Sequence, residues 1–222
     1  MLLNRRDLLR FSLSLVVAWA VISGLLVFIA AELLMPLLPL FKAVIVTLIP
    51  AFSPAFTLTP SAGGGQLQLT VMVLSSVHIA SGVEIPKGVE LTASTHVLHV
   101  LMPAAIMFSV LLTWPLPNWR KKTLLLSLGL PVSLLQLLAT VPVLLLALLE
   151  MPFQEQAMAA NARHTAPWFM DWMIFCETGG ALLLALVGVW LCLALVSDCG
   201  QTQDTQSMPS ISKKNHKRFT PG

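Results

Sequence analysis

The residues able to do chemistry in this chain are few, and they stand at the edges of long apolar runs. Glu32, His96, His99, Glu150, Asp171 and Glu177 each lie where such a run begins or ends, and Lys42 lies on an apolar stretch expected at the same boundary. Carboxylates in these positions could receive a basic group presented by a partner, and ionisable groups at membrane depth are costly and often functional. A plainer reading is that helix ends are where water begins and charge is tolerated. Glu177 is the strongest candidate for a functional role. It belongs to Cys176-Glu177-Thr178-Gly179-Gly180, about one turn inside an apolar run, and paired glycines permit close helix approach.

The histidines suggest a second chemistry. His96 and His99 are three apart and can share a helix face, with His78 and His164 in flanking polar stretches. Such a set could bind a metal or serve a redox subunit. An HxxH pair alone is a weak ligand signature, however, and no HExxH occurs and no cysteine joins it. Histidines at a membrane interface are more often simply hydrogen-bonded. No cofactor is therefore expected, and His96 and His99 stand as the alternative.

Other chemistries lack their frames. Ser75, Ser76 and Ser94 lie near histidines in sequence, but no GxSxG elbow surrounds them. There is no phosphate-binding glycine loop and no dinucleotide fingerprint. Intramembrane proteolysis would need paired carboxylates or a Ser/His pair inside the apolar runs, and transport would need a polar path through them. Only Gln136 and Thr140 offer such polarity. Cys176, Cys192 and Cys199 have no ligand spacing and read as small apolar fillers. No catalytic residue is assigned, and an enzyme is the less expected outcome.

The elements that carry these residues are set by composition. Hydrophobic residues make up 56% of the chain and charged residues 10%, against about 45–50% and roughly 25% in soluble domains. So apolar a chain cannot cover itself in water. Four segments reach the ~20 residues that cross a bilayer as helix: 11–31, 97–116, 123–149 and 172–196. The first is too long for a signal-peptide core and lacks a small-x-small cleavage site, so it reads as a retained anchor.

A fifth apolar stretch, 32–52, is decided by charge. With four spans, Arg5, Arg6 and Arg10 (segment 1–10), Arg120–Lys122 (loop 117–122) and the basic end of the tail 197–222 all face the cytoplasm. A fifth span would export two of those clusters. Residues 32–52 are thus expected as an amphipathic helix lying in the outer interface, or as a shallow re-entrant piece. Their apolar residues recur every three or four positions, and Pro36 and Pro39 fall in the first turns.

Outside the membrane, residues 53–96 change to period two. Leu67, Leu69, Val71 and Val73 alternate with Gln66, Gln68, Thr70 and Met72, the mark of a half-buried strand. The stretch 83–91, with Pro86 and Gly88, predicts a hairpin. The expected fold is a mainly α membrane protein with four spans, an interfacial helix and a small extracytoplasmic antiparallel β segment. The loop 150–171 is also outside, both termini are cytoplasmic, and the tail is expected to be disordered. The net charge of +3 is accounted for by topology, so no nucleic-acid partner is implied.

This layout resembles the small membrane proteins that accompany exosortases, in particular the exosortase H-associated proteins of Gram-negative bacteria. The resemblance lies in a basic start running into the first span (Arg5 to Phe11), a proline-bearing apolar stretch (Pro36, Pro39) and an outer strand segment. Two spans joined by a short basic loop follow, and the last span has a Gly-Gly entry (Gly179, Gly180) and an inner Trp190. Tyrosines expected in that family are absent here. Exosortases themselves carry a membrane Cys, Arg and His on separate helices, whereas no arginine lies within a span of this chain. The resemblance therefore implies a non-enzymatic companion of a protein-sorting or surface-processing enzyme in the bacterial inner membrane. Glu32, Lys42, Glu150, Asp171 and Glu177 are the candidate contacts for a membrane-protein partner.

Overall fold

The structure, a computed structural model, describes residues 5–59, 65–80, 83–116, 118–159 and 165–206. The element order is α1 (Arg5–Leu34), a 3-10 turn (Met35–Leu37), α2 (Leu38–Leu48), then strands β1 (Phe52–Thr59), β2 (Gln66–Val73), β3 (Val77–Ala80), β4 (Val83–Ile85) and β5 (Glu90–His96). Helices α3 (Val97–Thr113), α4 (Trp119–Ala159), α5 (Trp168–Phe175) and α6 (Ala181–Gln206) follow, the last two separated by a π turn (Cys176–Gly180). Among the described residues, three helical segments are long and apolar enough to cross a membrane by length and composition: Leu8–Leu48, Trp119–Ala159 and Trp168–Ser197. α3 is apolar but shorter, at 17 residues.

The chain traffics between two ends. At one end stands an antiparallel sheet of order β1-β2-β5, beside a separate β3-β4 pair. Leu67, Leu69, Val71 and Val73 are fully buried, while their alternating neighbours are not, as the period-two pattern requires. The first three share one buried apolar cluster with Phe41 and Ile45 of α2 and Leu145 and Leu149 of α4. At the other end the start of α1 meets the end of α3, with the Phe11 and Trp114 rings edge-to-face at 6.1 Å. Trp114, Lys121, Trp190 and Ser197 line one cavity there.

α4 is the hub. Residues Val141 to Ala147 are buried in unbroken succession, so this stretch is apolar all round because protein surrounds it. Between α3 and α4 the close approach is made at Gly129, where a Cβ would lie 2.7 Å from Leu111 Cδ1. α1 is the opposite case. It packs along α3 and leaves Leu13, Val16 and Phe28 exposed, an apolar surface without protein cover.

Several expectations change. The stretch 32–52 does not form one element. Glu32 belongs to the last turn of α1, Pro36 lies in a single 3-10 turn with helical backbone on both flanks, Pro39 falls in the first turn of α2, and α2 ends at Leu48. Phe52 already belongs to β1 (Phe52–Thr59), which opens the β segment one residue before the expected boundary at 53. Pro54 masks it in sequence, yet proline is tolerated on an edge strand, and β1 is an edge.

The hairpin expected over 83–91 is corrected. The turn exists, with Gly88 at φ 90°, but its two strands do not pair with each other. β4 pairs with β3, and β5 pairs with β2 from Gln66↔His96 to Met72↔Glu90. Finally, α6 continues to Gln206 past the expected start of the polar tail, since an established helix propagates one bond per residue. The basic cluster of that tail and His164 lie outside the described residues.

Candidate functional site

A polar break in an otherwise apolar helix is the feature from which the site is built. Between α5 and α6 the backbone leaves the helical region at Gly179 (φ 112°, ψ −2°), a conformation that costs an L-residue and not glycine. The ladder is bridged by a wide turn in which the Ala181 N–H donates to the Cys176 carbonyl. Thr178 folds its hydroxyl back to donate to the carbonyls of Ile174 (2.8 Å) and Phe175 (3.1 Å). A Cβ on Gly180 would meet the Phe175 ring. The glycine pair thus serves the break itself rather than an approach to a neighbouring helix.

The break is held from α4. The Trp172 indole N–H donates to the Ala139 carbonyl at 3.1 Å, one turn before Pro142. The Gln136 side-chain N–H donates to the Ala181 carbonyl at 3.1 Å, leaving Gln136 Oε1 buried and without a partner. Thr140 turns its hydroxyl to the Gln136 carbonyl. The two polar residues noticed inside the third apolar run therefore face one irregularity in the fourth.

Across from the break stands the first turn of α3. His99 Nε2 lies 3.2 Å from Glu177 Oε1, with the two side chains 57% and 49% exposed. Pro103, inside α3, lacks the N–H that the His99 carbonyl would otherwise accept. His99, Pro103, Thr140, Cys176, Glu177 and Gly179 all line one cleft of about 190 Å³. A half-exposed acid–imidazole pair above an apolar cleft can receive a cationic or hydrogen-bonding group while the apolar part of that group enters below.

The remaining candidate residues are dispersed around the same end. Glu32 is exposed at the close of α1, Lys42 is exposed on α2, and Asp171 is exposed in the first turn of α5. Among the described residues these three make no ion pair with one another or with Glu177. Glu150 is half-buried, accepts a hydrogen bond from Gln154 at 3.1 Å, and lines a second cleft of about 300 Å³ with Phe52 and Phe153.

The histidine pair is corrected. His96 ends β5 with extended backbone (φ −71°, ψ 132°) and caps α3, so only His99 is on the helix. The two do not share a helix face as their spacing suggested. His78 lies on β3 opposite Glu84. Sequence reasoning named His99 and Glu177 separately and missed their pairing across 78 positions. The available signal was the cluster Cys176–Gly180, polar and glycine-paired inside an apolar run, which marks a break that something must face. Comparisons with protein-family models, with curated proteins and with solved structures return no match.

Proposed function

We propose that this chain is a non-enzymatic accessory protein of the bacterial inner membrane, crossing it four times with both termini in the cytoplasm. It docks a membrane partner through its sheet-bearing outer end, and the resemblance to exosortase-associated proteins makes that partner a protein-sorting or surface-processing enzyme. The observation that carries this reading is Glu177, held beside His99 at the mouth of a cleft, half-exposed and on an irregular turn that an ordinary span would not keep. Non-helical backbone at membrane depth is tolerated where it is covered by protein or lines a wet cavity.

The fourth span in this reading is α3. It joins the same two ends as its neighbours, and its 17 residues rise about 26 Å at ~1.5 Å each, close to the ~30 Å of a hydrocarbon core. Arg10, Arg120, Lys121 and Lys122 gather at the end away from the sheet, which the positive-inside rule assigns to the cytoplasm. The segment 32–52 then enters from the outer side, its α2 portion covering the sheet.

The test is capture from native membranes in mild detergent. The wild-type chain is expected to bring down a membrane enzyme, and Glu177→Lys to lose most of it while remaining folded. Recovery of the chain alone, from wild type and variant equally, would remove the basis for an accessory role.

A further inference from the structure

Where α1 meets the end of α3, a cation lines a cavity that offers it no counter-charge. The cavity measures about 500 Å³, and Arg10, Phe11, Ser14, Thr113, Trp114 and Pro115 are among its walls. Among the described residues no carboxylate lines it. In sequence, residues 5–10 hold three arginines against a single acid, Asp7.

The polar groups of this cavity are donors. The Thr113 hydroxyl is already spent, since it donates to the Ser109 carbonyl at 2.8 Å. That leaves the Arg10 guanidinium, the Ser14 hydroxyl one turn later on α1, and the Trp114 indole N–H. Arg10 and Ser14 are both exposed. Such a set suits a group that brings acceptor oxygens and negative charge. The remaining walls are rings, with Phe11 and Trp114 edge-to-face at 6.1 Å, and tryptophan at a helix end suits the headgroup boundary.

Below the cation runs an uncovered apolar stripe. Leu13, Val17 and Val21 follow Arg10 at steps of three and four, which puts them on one face of α1. All three are exposed. From Arg10 to Val21 the helix rises about 16 Å at ~1.5 Å per residue, roughly half of a ~30 Å hydrocarbon core. That is the reach of an acyl chain in one leaflet. A free phosphate would use the donors and leave the rings and the stripe bare. A zwitterionic headgroup would bring an ammonium for which no described carboxylate waits.

We propose that this cavity binds the headgroup of one anionic phospholipid. The phosphate accepts hydrogen bonds from the Arg10 guanidinium and the Ser14 hydroxyl, and the glycerol region rests on the Phe11 and Trp114 rings. One acyl chain lies along Leu13, Val17 and Val21. The bound lipid thus touches α1 and α3 together at the end where they meet. This rests on the chain being a membrane protein and not on its accessory role.

The experiment titrates the full chain in mild detergent with phosphatidylglycerol and phosphatidylethanolamine of identical acyl chains, read by native mass spectrometry. A one-to-one phosphatidylglycerol adduct is expected with about fivefold preference, the increment of one basic residue near a headgroup. Arg10→Gln should abolish the preference. Lys87→Gln, an equal loss of charge at the exposed turn between β4 and β5, should keep it. Ser14→Phe should fill the cavity and weaken adducts of both lipids with Arg10 intact. Thermal unfolding without lipid should not move in any of the three, which separates loss of the site from loss of the fold. Equal adducts in the wild type, a preference that survives Arg10→Gln or falls equally in Lys87→Gln, or displacement of the lipid by inorganic phosphate would each overturn the proposal. So would the absence of any lipid adduct, which would leave the cavity to a partner's side chains. Loss of the chain from carbonate-washed membranes would instead overturn the membrane reading beneath it.

Discussion

Two long helical segments of this molecule are interrupted, one by prolines and one by glycines, and the two interruptions differ in kind. At Met35–Leu37 the helix tightens for one turn, keeps helical dihedrals at Leu34 and Leu38, and resumes toward a wholly apolar environment. At Cys176–Gly180 the backbone leaves the helical region at Gly179, and the surroundings are the polar set of His99, Gln136, Thr140, Trp172 and Glu177. A proline interruption removes a donor and redirects the chain, which serves packing. The glycine break frees backbone groups and gathers polar side chains, and it is the break that faces a cleft.

If the first interruption is held by packing, its weakest point is Phe41, fully buried and 6.2 Å from the Phe56 ring. Phe41→Ala should cost about 3–5 kcal/mol, the largest effect among these predictions. Thermal unfolding in detergent, followed by tryptophan fluorescence, reads it directly. A loss under 1 kcal/mol would mean that the sheet and α2 are not one packed unit.

The second interruption should be sensitive at its backbone. A Cβ at Gly179 meets nothing within 4 Å, so Gly179→Ala tests dihedral cost alone, expected at about 1–3 kcal/mol. By contrast Pro36→Ala, at an exposed position with helical dihedrals around it, should stay within about 1 kcal/mol. Equal losses at the two sites would erase the distinction between them.

These contrasts also explain what the sequence made legible. The alternation of Leu67, Leu69, Val71 and Val73 survives because one face of a strand must be buried whatever its neighbours, and the apolar runs survive because length and hydropathy are local properties. Pairings made at a distance were not legible. Nothing near Glu90 or Val83 tells that β5 turns to β2 while β4 turns to β3, and nothing near His99 tells that it meets Glu177. His96 and His99 misled for a related reason: a spacing of three implies a shared face only if both residues are helical, and the strand ends at the first of them. The Trp172 indole shows the same limit, because its acceptor is a backbone carbonyl on α4 that no side-chain pattern announces. Trp172→Phe keeps the ring and removes that donor, and should cost about 0.5–1.5 kcal/mol in the same unfolding assay.

The smallest stability effect belongs to the pair that matters most to the proposed function. His99 and Glu177 are both about half exposed, and ion pairs so open to solvent are worth about 0–1 kcal/mol. His99→Ala and Glu177→Ala should therefore unfold within about 1 kcal/mol of the wild type, well below Phe41→Ala or Gly179→Ala. If the break exists to present Glu177, partner capture should fall sharply in Glu177→Ala while stability barely moves. Gly179→Ala should lose both together, since it acts through the turn that carries the carboxylate. If the two variants instead show capture tracking stability alone, the glycine break is a packing device like the proline turn, and the polar cluster around it has only a structural reason to be there.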